Sequence, residues 1–261
     1  MTTDLHEALA PVRADPGRSV LLFDFDGTLS PVVDDPAAAV ARPGVAERLD
    51  RLAASYRLVG AVSGRPVAFL ANVLPPSLAL SGLYGLESRL DGKVAGHPEA
   101  DRWRPVVTDA VATLAAATAP GEAAHGVVVE AKGLSITLHV RTRPDLGDAA
   151  RELADRVAAT AGLVVRPAKM SVELHPPIEA DKGTALLALA RGAAAVLYTG
   201  DDVGDLPAFA ALDGLAQGSP PVTTLGVVVD GPELPAELRA PHRLVLPDQA
   251  AVIGLLDALA V

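Results

Sequence analysis

Val20-Leu21-Leu22-Phe23-Asp24-Phe25-Asp26-Gly27-Thr28-Leu29 is an apolar run that stops at two carboxylates one residue apart, followed at once by Gly and Thr. Four apolar residues in succession suit a strand covered on both faces, as in parallel sheets, whose ligands collect beyond the carboxyl ends of the strands. The run therefore delivers Asp24 and Asp26 to a place where chemistry is found. Two like charges at this spacing repel unless a cation lies between them or one of them holds a proton. Both solutions serve phosphoryl transfer. Asp24 is suited to attack phosphorus while a hard, oxygen-seeking Mg²⁺ bridges it to the phosphate, and Asp26 is suited to pass a proton to the leaving alcohol. The plainer alternative is a solvated strand-end turn, since Asp and Gly are ordinary turn formers.

The chain has 261 residues, enough for one large or two modest domains, and its 50% hydrophobic composition allows each a core of its own. A net charge of −10 and an isoelectric point near 5.0 argue against nucleic acid or an anionic membrane as the main partner, because both select a positive surface. An acidic chain needs local positive charge or a metal to hold a phosphate. The absence of cysteine excludes disulfides, thiolate zinc sites and a cysteine nucleophile. Residues 1–9 include Asp4, His6 and Glu7 with no apolar core, so they do not read as a signal peptide. The uncharged stretch 66–86 is interrupted by Asn72, Pro75, Pro76, Gly82 and Gly85 and does not read as a membrane span. A soluble, cytoplasmic protein is the expectation.

Outward from the first strand, Pro43-Gly44-Val45 opens a helical pattern with Val45, Leu49 and Leu52 on one face, and residues 58–62 read as a second buried strand ending in Ser63-Gly64-Arg65. This β-loop-α-β order begins a doubly wound sheet. A short apolar run at 193–198 again ends in a polar cluster, Thr199-Gly200-Asp201-Asp202-Val203-Gly204-Asp205. A strand at 225–229 and a helix at 247–259 close the chain. Between 101 and 175 the pattern changes to helix (101–117), strands (127–130 and 134–141), helix (145–161) and strands (163–166 and 170–175). In the second of these strands Leu134, Ile136, Leu138 and Val140 alternate with Ser135, Thr137, His139 and Arg141, and Met170, Val172 and Leu174 alternate with Ser171, Glu173 and His175. A separate α+β module with one open polar sheet face is expected.

Four places carry suitable chemistry: Asp24 with Asp26, Ser63, Lys182, and Asp201 with Asp202 and Asp205. A hydroxyl and an ammonium hold non-bridging phosphate oxygens and offset the charge of an attacking carboxylate, while a further Asp completes the shell of Mg²⁺. Ser63 with Gly64 can present a hydroxyl and backbone N–H groups to an anion. Lys182-Gly183-Thr184 opens a helix and places an ammonium near its positive end. Taken singly, each also reads as a plain turn or a solvated side chain; their order after apolar runs separates the two readings.

In that order the residues resemble the four motifs of the haloacid dehalogenase (HAD) superfamily of phosphatases: Asp24-Phe25-Asp26-Gly27-Thr28, Ser63, Lys182 and Gly200-Asp201-Asp202. The resemblance implies an HAD-like α/β core. It implies that Asp24 becomes a phospho-aspartate, that Asp26 is general acid and then base, and that Ser63 and Lys182 hold the phosphoryl group. Mg²⁺ would take a carboxylate oxygen of Asp24, the backbone carbonyl of Asp26 and a carboxylate of Asp201, with Asp202 and Asp205 as auxiliary ligands or groups behind them. The interval from Ser63 to Lys182 exceeds what one βα unit requires, and in the superfamily such an insertion is a cap that closes over substrate and sets specificity. The expected division is a core of residues 1–100 and 179–261 and an α+β cap of 101–178.

The cap resembles that of trehalose-6-phosphate phosphatases in Ser81-Gly82-Leu83-Tyr84-Gly85-Leu86-Glu87, Glu130-Ala131-Lys132-Gly133, His139-Val140-Arg141, Lys169 to Glu173-Leu174-His175-Pro176, and Asp181-Lys182-Gly183. It implies that Glu130, Lys132 and Glu173 grip sugar hydroxyls, which agrees with the discrimination available to a site built to hydrogen-bond hydroxyls. Without it, Glu130 and Lys132 are a hairpin-tip surface pair, and His139 and Arg141 belong to the contact between cap and core. Arg65, beside Gly64, either contacts phosphate or caps its loop. Two departures stand out: Asp202 is followed by Val203-Gly204-Asp205-Leu206-Pro207 where the family has a more acidic run, and Tyr84 stands where the family often has a polar residue such as His. The implied activity is Mg²⁺-dependent hydrolysis of trehalose 6-phosphate, a small-molecule sugar phosphate. The alternatives are a phosphatase for another sugar phosphate and a non-catalytic sugar-phosphate-binding regulatory partner, the latter weighed down by the presence of every core residue.

Overall fold

The computed structural model describes residues 2–33, 35–168, 170–231 and 234–261, so Lys169 lies outside the described residues. Helix α1 (Thr2–Arg13) is followed by β1 (Ser19–Phe23), α2 (Val45–Ser55), β2 (Leu58–Val62), α3 (Val67–Val73), β3 (Ala79–Gly82), β4 (Glu87–Leu90) and β5 (Lys93–Gly96). Next come α4 (Ala100–Ala117), β6 (Val128–Ala131), β7 (Ile136–His139), α5 (Gly147–Ala161), β8 (Val164–Ala168) and β9 (Ser171–His175). The chain ends with α6 (Lys182–Leu189), β10 (Ala195–Gly200), α7 (Leu206–Ala216), β11 (Thr223–Val229), β12 (Leu244–Leu246) and α8 (Val252–Leu259). It forms two compact units, Met1–Ala95 with Ala180–Val261, and Gly96–Glu179. Among the described residues no helix is long and apolar enough to cross a membrane.

In the first unit the strands run in the order β12-β11-β10-β1-β2-β3-β4-β5, parallel from β12 to β3, with β4 antiparallel to β3. Every residue of β1 is buried, as the unbroken apolar run predicts. Its side chains alternate between two cores. Leu21 and Phe23 pack in the layer that includes Leu9, Leu49, Leu70 and Leu255, while Val20 and Leu22 pack in the layer that includes Leu186, Phe209 and Leu212. Helices α1, α2, α3 and α8 thus cover one face and α6 and α7 the other, which is the expected doubly wound arrangement. Val45, Leu49 and Leu52 form the buried stripe of α2 as their spacing predicts. Leu49 is fully buried, and truncation of such a leucine costs roughly 2–5 kcal/mol.

The second unit is a four-stranded antiparallel sheet, β6-β7-β9-β8. Ile136, Leu138, Val172 and Leu174 face a core shared with Val107 and Leu114 of α4 and Leu153 and Val157 of α5. The opposite face departs from the expectation of an open polar surface: Ser135, Thr137, Glu173 and His175 are buried. Thr137, Glu173 and His175 tolerate burial because they are hydrogen-bonded within this cluster.

Candidate active site

Asp24, Ser63 and Asp201 are each the first residue past the end of three neighbouring parallel strands, β1, β2 and β10. Register sets them side by side, since Phe23 is level with Ala61 on one side and Thr199 on the other. All three are buried. Gly27 then turns the chain back with φ +85°, a conformation favouring glycine, and lies so close to Asp201 that a Cβ there would stand 2.1 Å from the Asp201 Oδ2. The hydroxyl of Thr28 donates to Asp201 Oδ1 at 3.4 Å.

Lys182 reaches this row from the first turn of α6. An ammonium at a helix N-terminus opposes the dipole, so the helix itself gives no reason for its place. The turn is secured instead by Asp181, whose carboxylate accepts the Thr184 N–H at 2.7 Å while the Thr184 hydroxyl accepts the Asp181 N–H at 3.0 Å. Lys182 Nζ donates to Asp24 Oδ1 and Asp205 Oδ1, both at 2.7 Å, with all three side chains almost wholly buried. Burial opposes the ammonium's charge, but Asp205 and Asp24 hold its pKa well above the ordinary lysine value. Asp205 is heavily engaged: Oδ1 also accepts the Tyr198 hydroxyl at 2.6 Å, and Oδ2 accepts the backbone N–H groups of Asp201 and Asp202 at 2.8 and 3.1 Å. It fixes both the lysine and the loop that carries Asp201. Asp202 caps the same turn by accepting the Gly204 N–H at 2.9 Å.

Carboxylate oxygens of Asp24, Asp201 and Asp205 lie within 4.8 Å of one another, all buried. Burial pushes Asp24 well above the ordinary carboxylate range, and Asp205, Asp201 and Asp202 push it further, against the pull of Lys182. The site thus holds more negative charge than its one lysine offsets. A set of hard oxygen donors with this surplus fits a hard divalent cation.

Beside this centre, Arg65 lays its guanidinium on Asp26: Nε donates to Oδ2 at 2.8 Å and one terminal nitrogen to Oδ1 at 2.7 Å. The Ser63 hydroxyl oxygen accepts the Arg65 backbone N–H at 3.1 Å. Gly64 underlies the ring of Tyr84; a Cβ there would stand 2.7 Å from the tyrosine Cζ and hydroxyl oxygen. Leu83 and Tyr84 both adopt left-handed backbone, which costs non-glycine residues of order 1–3 kcal/mol each. Hydrogen bonds from Leu83 N–H to the Arg65 carbonyl at 3.0 Å and from Tyr84 N–H to the Ser63 carbonyl at 3.1 Å hold that conformation, tying the two loops together.

In the second unit, cross-strand register puts Glu130 opposite Thr137 and Thr137 opposite Glu173. Lys132 Nζ lies 3.0 Å from Glu173 Oε1 and 3.7 Å from Glu130 Oε2. His139 Nε2 meets Glu130 at 2.7 Å, His175 Nε2 meets the other Glu173 oxygen at 3.1 Å, and the Thr137 hydroxyl donates to Glu173 Oε1 at 2.9 Å. The three predicted residues therefore form one network.

A family model described as Trehalose-phosphatase matches residues 22–231, a span that takes in every residue of the two side-chain networks, from Asp24 to Asp205. The chain belongs to the trehalose-phosphatase family. The trehalose-phosphate phosphatase of Mycobacterium avium (strain 104) is 35% identical over 219 residues, 77% of this chain and 53% of that one. The chain spans between 32% and 53% of the length of curated relatives that it matches. Among solved structures, the C-terminal domain of C. albicans trehalose-6-phosphate phosphatase shares the fold with a TM-score of 0.77 at 23% identity, covering 99% of this chain and 96% of that one. Aspergillus fumigatus trehalose-6-phosphate phosphatase superposes with a TM-score of 0.64 at 27% identity, covering 98% and 97%.

Three members of these networks were not singled out from the sequence of this family member: Tyr198, Thr137 and His175. Tyr198 is the one aromatic hydroxyl in β10, beside Thr199 at the end of its apolar run, while Thr137 and His175 share the alternating face of Glu173. The network also has a pH signature. Burial opposes the charge of Glu173, but Lys132 and His175 outweigh it and hold its carboxyl well below the ordinary value of 4.5. A depressed carboxylate contributes stability that is complete above the unfolded value and is lost as pH falls through the folded one. The melting-temperature gap between wild type and Glu173→Gln is therefore expected to be widest above pH 4.5 and to narrow as the pH is lowered further. A gap independent of pH across that range would show that Glu173 gains nothing from its ionised state.

Proposed function

We propose that this chain is a Mg²⁺-dependent phosphatase that hydrolyses trehalose 6-phosphate to trehalose and phosphate through a phospho-aspartate at Asp24. The observation that carries the reading is the buried Asp24–Lys182–Asp205 arrangement beside Asp201 at the strand ends, in a chain of the trehalose-phosphatase family. Asp24 and Asp201, with the backbone carbonyl of Asp26, would hold Mg²⁺. When bound, the cation supplies Lewis-acid charge against the non-bridging phosphate oxygens.

The chain's own groups do the rest. Asp24 attacks phosphorus as the bond to the sugar oxygen breaks, and Asp26 gives that oxygen a proton. Water then displaces Asp24 from phosphorus while Asp26 takes the water's proton. Lys182, the Ser63 hydroxyl and the N–H of Gly64 hold the phosphoryl oxygens, and Asp205 keeps the lysine in place. Residues 101–178 act as the specificity domain of a core made from 1–100 and 179–261. In that domain Glu130, Lys132 and Glu173 bind sugar hydroxyls, since a network of ionised, mutually oriented donors and acceptors rejects ligands that leave it unpaired.

Phosphate release from trehalose 6-phosphate and glucose 6-phosphate, each with Mg²⁺ and with a chelator, tests the reading. Selective release from the disaccharide ester, abolished by the chelator and restored by Mg²⁺, is the expected result. Equal cleavage of glucose 6-phosphate would remove the disaccharide assignment, and release unaffected by chelation would remove the metal.

A further inference from the structure

The Asp26–Arg65 pair has a geometry that neither nucleophilic attack nor phosphate binding requires. The guanidinium meets both carboxylate oxygens, at 2.8 and 2.7 Å, in a bidentate fork. Arg65 is itself immobilised. Its other terminal nitrogen donates to the Pro36 carbonyl at 2.6 Å, its guanidinium carbon sits 4.6 Å over the Phe69 ring, and its backbone is pinned by the Ser63 hydroxyl on one side and the Leu83 N–H on the other. Its side chain is 10% exposed, whereas that of Asp26 is 36% exposed. The arrangement runs from a rigid donor to a more exposed acceptor.

We infer that Arg65 is the positioning residue of the leaving-group acid: its fork fixes the plane of the Asp26 carboxyl so that the same group faces the sugar oxygen and later the attacking water. This deepens the functional reading above and rests on it. In the first step the proton on Asp26 passes to the sugar oxygen, which keeps the electron pair of its broken bond to phosphorus while Asp24 takes the phosphoryl group. In the second step water adds to phosphorus, the bond to Asp24 breaks, and Asp26 recovers a proton from the water. A carboxylate offers about four lone-pair sites, and the fork occupies one on each oxygen, leaving sites for that proton. Because Arg65 and Ser63 share one loop, a single element sets the phosphoryl-binding hydroxyl and the orientation of the acid. A charge without the planar fork does not supply this orientation, so lysine is no equivalent.

An acid matters in proportion to how poor the leaving group is, and this gives a readout that a purely structural role would not move. For Arg65→Gln, kcat/KM for trehalose 6-phosphate is expected to fall about 100-fold while that for p-nitrophenyl phosphate, whose leaving group needs no proton, falls no more than about threefold. Arg65→Lys should show the same selective loss to a smaller degree. Retained cleavage of the aryl ester demonstrates that the variant is folded with its nucleophile intact, and the lysine variant serves if the glutamine one does not fold. Equal losses on both esters would overturn the inference and assign Arg65 to the phosphoryl group or to the loop alone; an unchanged rate on the sugar ester would overturn it as well. Failure of the underlying reading appears separately, in the wild type. A wild type that cleaves the aryl ester and another alkyl phosphate but not trehalose 6-phosphate loses the disaccharide assignment, and Arg65 is then judged on the alkyl ester it cleaves. A wild type inactive on all of them overturns both.

Discussion

Asp24→Asn is expected to lower phosphate release on the order of 10⁴-fold or more while leaving the protein folded. The amide is nearly isosteric with the carboxylate, and its oxygen can still accept from Lys182 Nζ, which stands 2.7 Å from Asp24 Oδ1. What disappears is the anionic oxygen that bonds to phosphorus, and no neighbouring acid can replace it. Asp205 Oδ1 already accepts from Lys182 and Tyr198, and Asp201 stands on another strand end. The substitution also removes a charge that burial and the carboxylates of Asp205, Asp201 and Asp202 disfavour. That relief offsets the weaker bond to Lys182, so the melting temperature should stay within about 4 °C of wild type, the equivalent of roughly 1 kcal/mol. Phosphate release and a thermal melt on the same preparation decide the matter. Turnover within tenfold of wild type would take the nucleophile's role away from Asp24.

Lys182→Met is expected to damage both stability and turnover. Methionine keeps much of the apolar stem but leaves Asp24 and Asp205, which share one ammonium at 2.7 Å each, facing one another in a buried site. Removing one partner of a buried ion pair costs roughly 3–5 kcal/mol because the remaining charge is uncompensated. At about 2–4 °C per kcal/mol for a chain of this size class, the melting temperature should drop by about 6–20 °C. Turnover should fall about 10²–10³-fold as a preorganised positive group is lost from the reacting centre. Added Mg²⁺ should raise the variant's melting temperature more than the wild type's, since a cation at the same carboxylates then offsets a larger surplus of negative charge. A melting temperature within about 2 °C of wild type, about 1 kcal/mol, would mean that the two carboxylates accommodate the loss by sharing a proton.

Much of the site is legible in the order of residues because buried parallel strands are short apolar runs, and whatever polar residue ends each run is carried to the same edge of the sheet. Asp24, Ser63 and Asp201 follow that rule one by one. Elements without an apolar run are harder to see. Strand β4 is mostly half-buried and β5 exposed, and neither shows alternation, although Asp91-Gly92 between them, with φ of 50° and 75°, is a hairpin turn by residue type. β12 has three residues, and the short α3 lies inside the uncharged stretch 66–86. The last helix begins at Val252, not at 247, after a turn capped by Asp248, whose carboxylate accepts the Ala251 N–H at 3.0 Å.

The amino-acid sequence by itself determined the doubly wound core, the inserted α+β unit and which chemical groups stand at the strand ends, because hydrophobic periodicity is a local property that dictates which face is buried and where a strand stops. Only the tertiary structure decided how those groups pair. Lys182 and Asp24 are 158 residues apart, Arg65 and Asp26 are 39 apart, and Lys132 and Glu173 are 41 apart. Periodicity carries no information about such partners. Which ammonium Asp205 meets, which carboxylate Arg65 meets, and whether Glu173 and His175 are open or buried depend on side chains brought together across strands and helices. There the loss of water makes each polar group take the nearest partner that satisfies it.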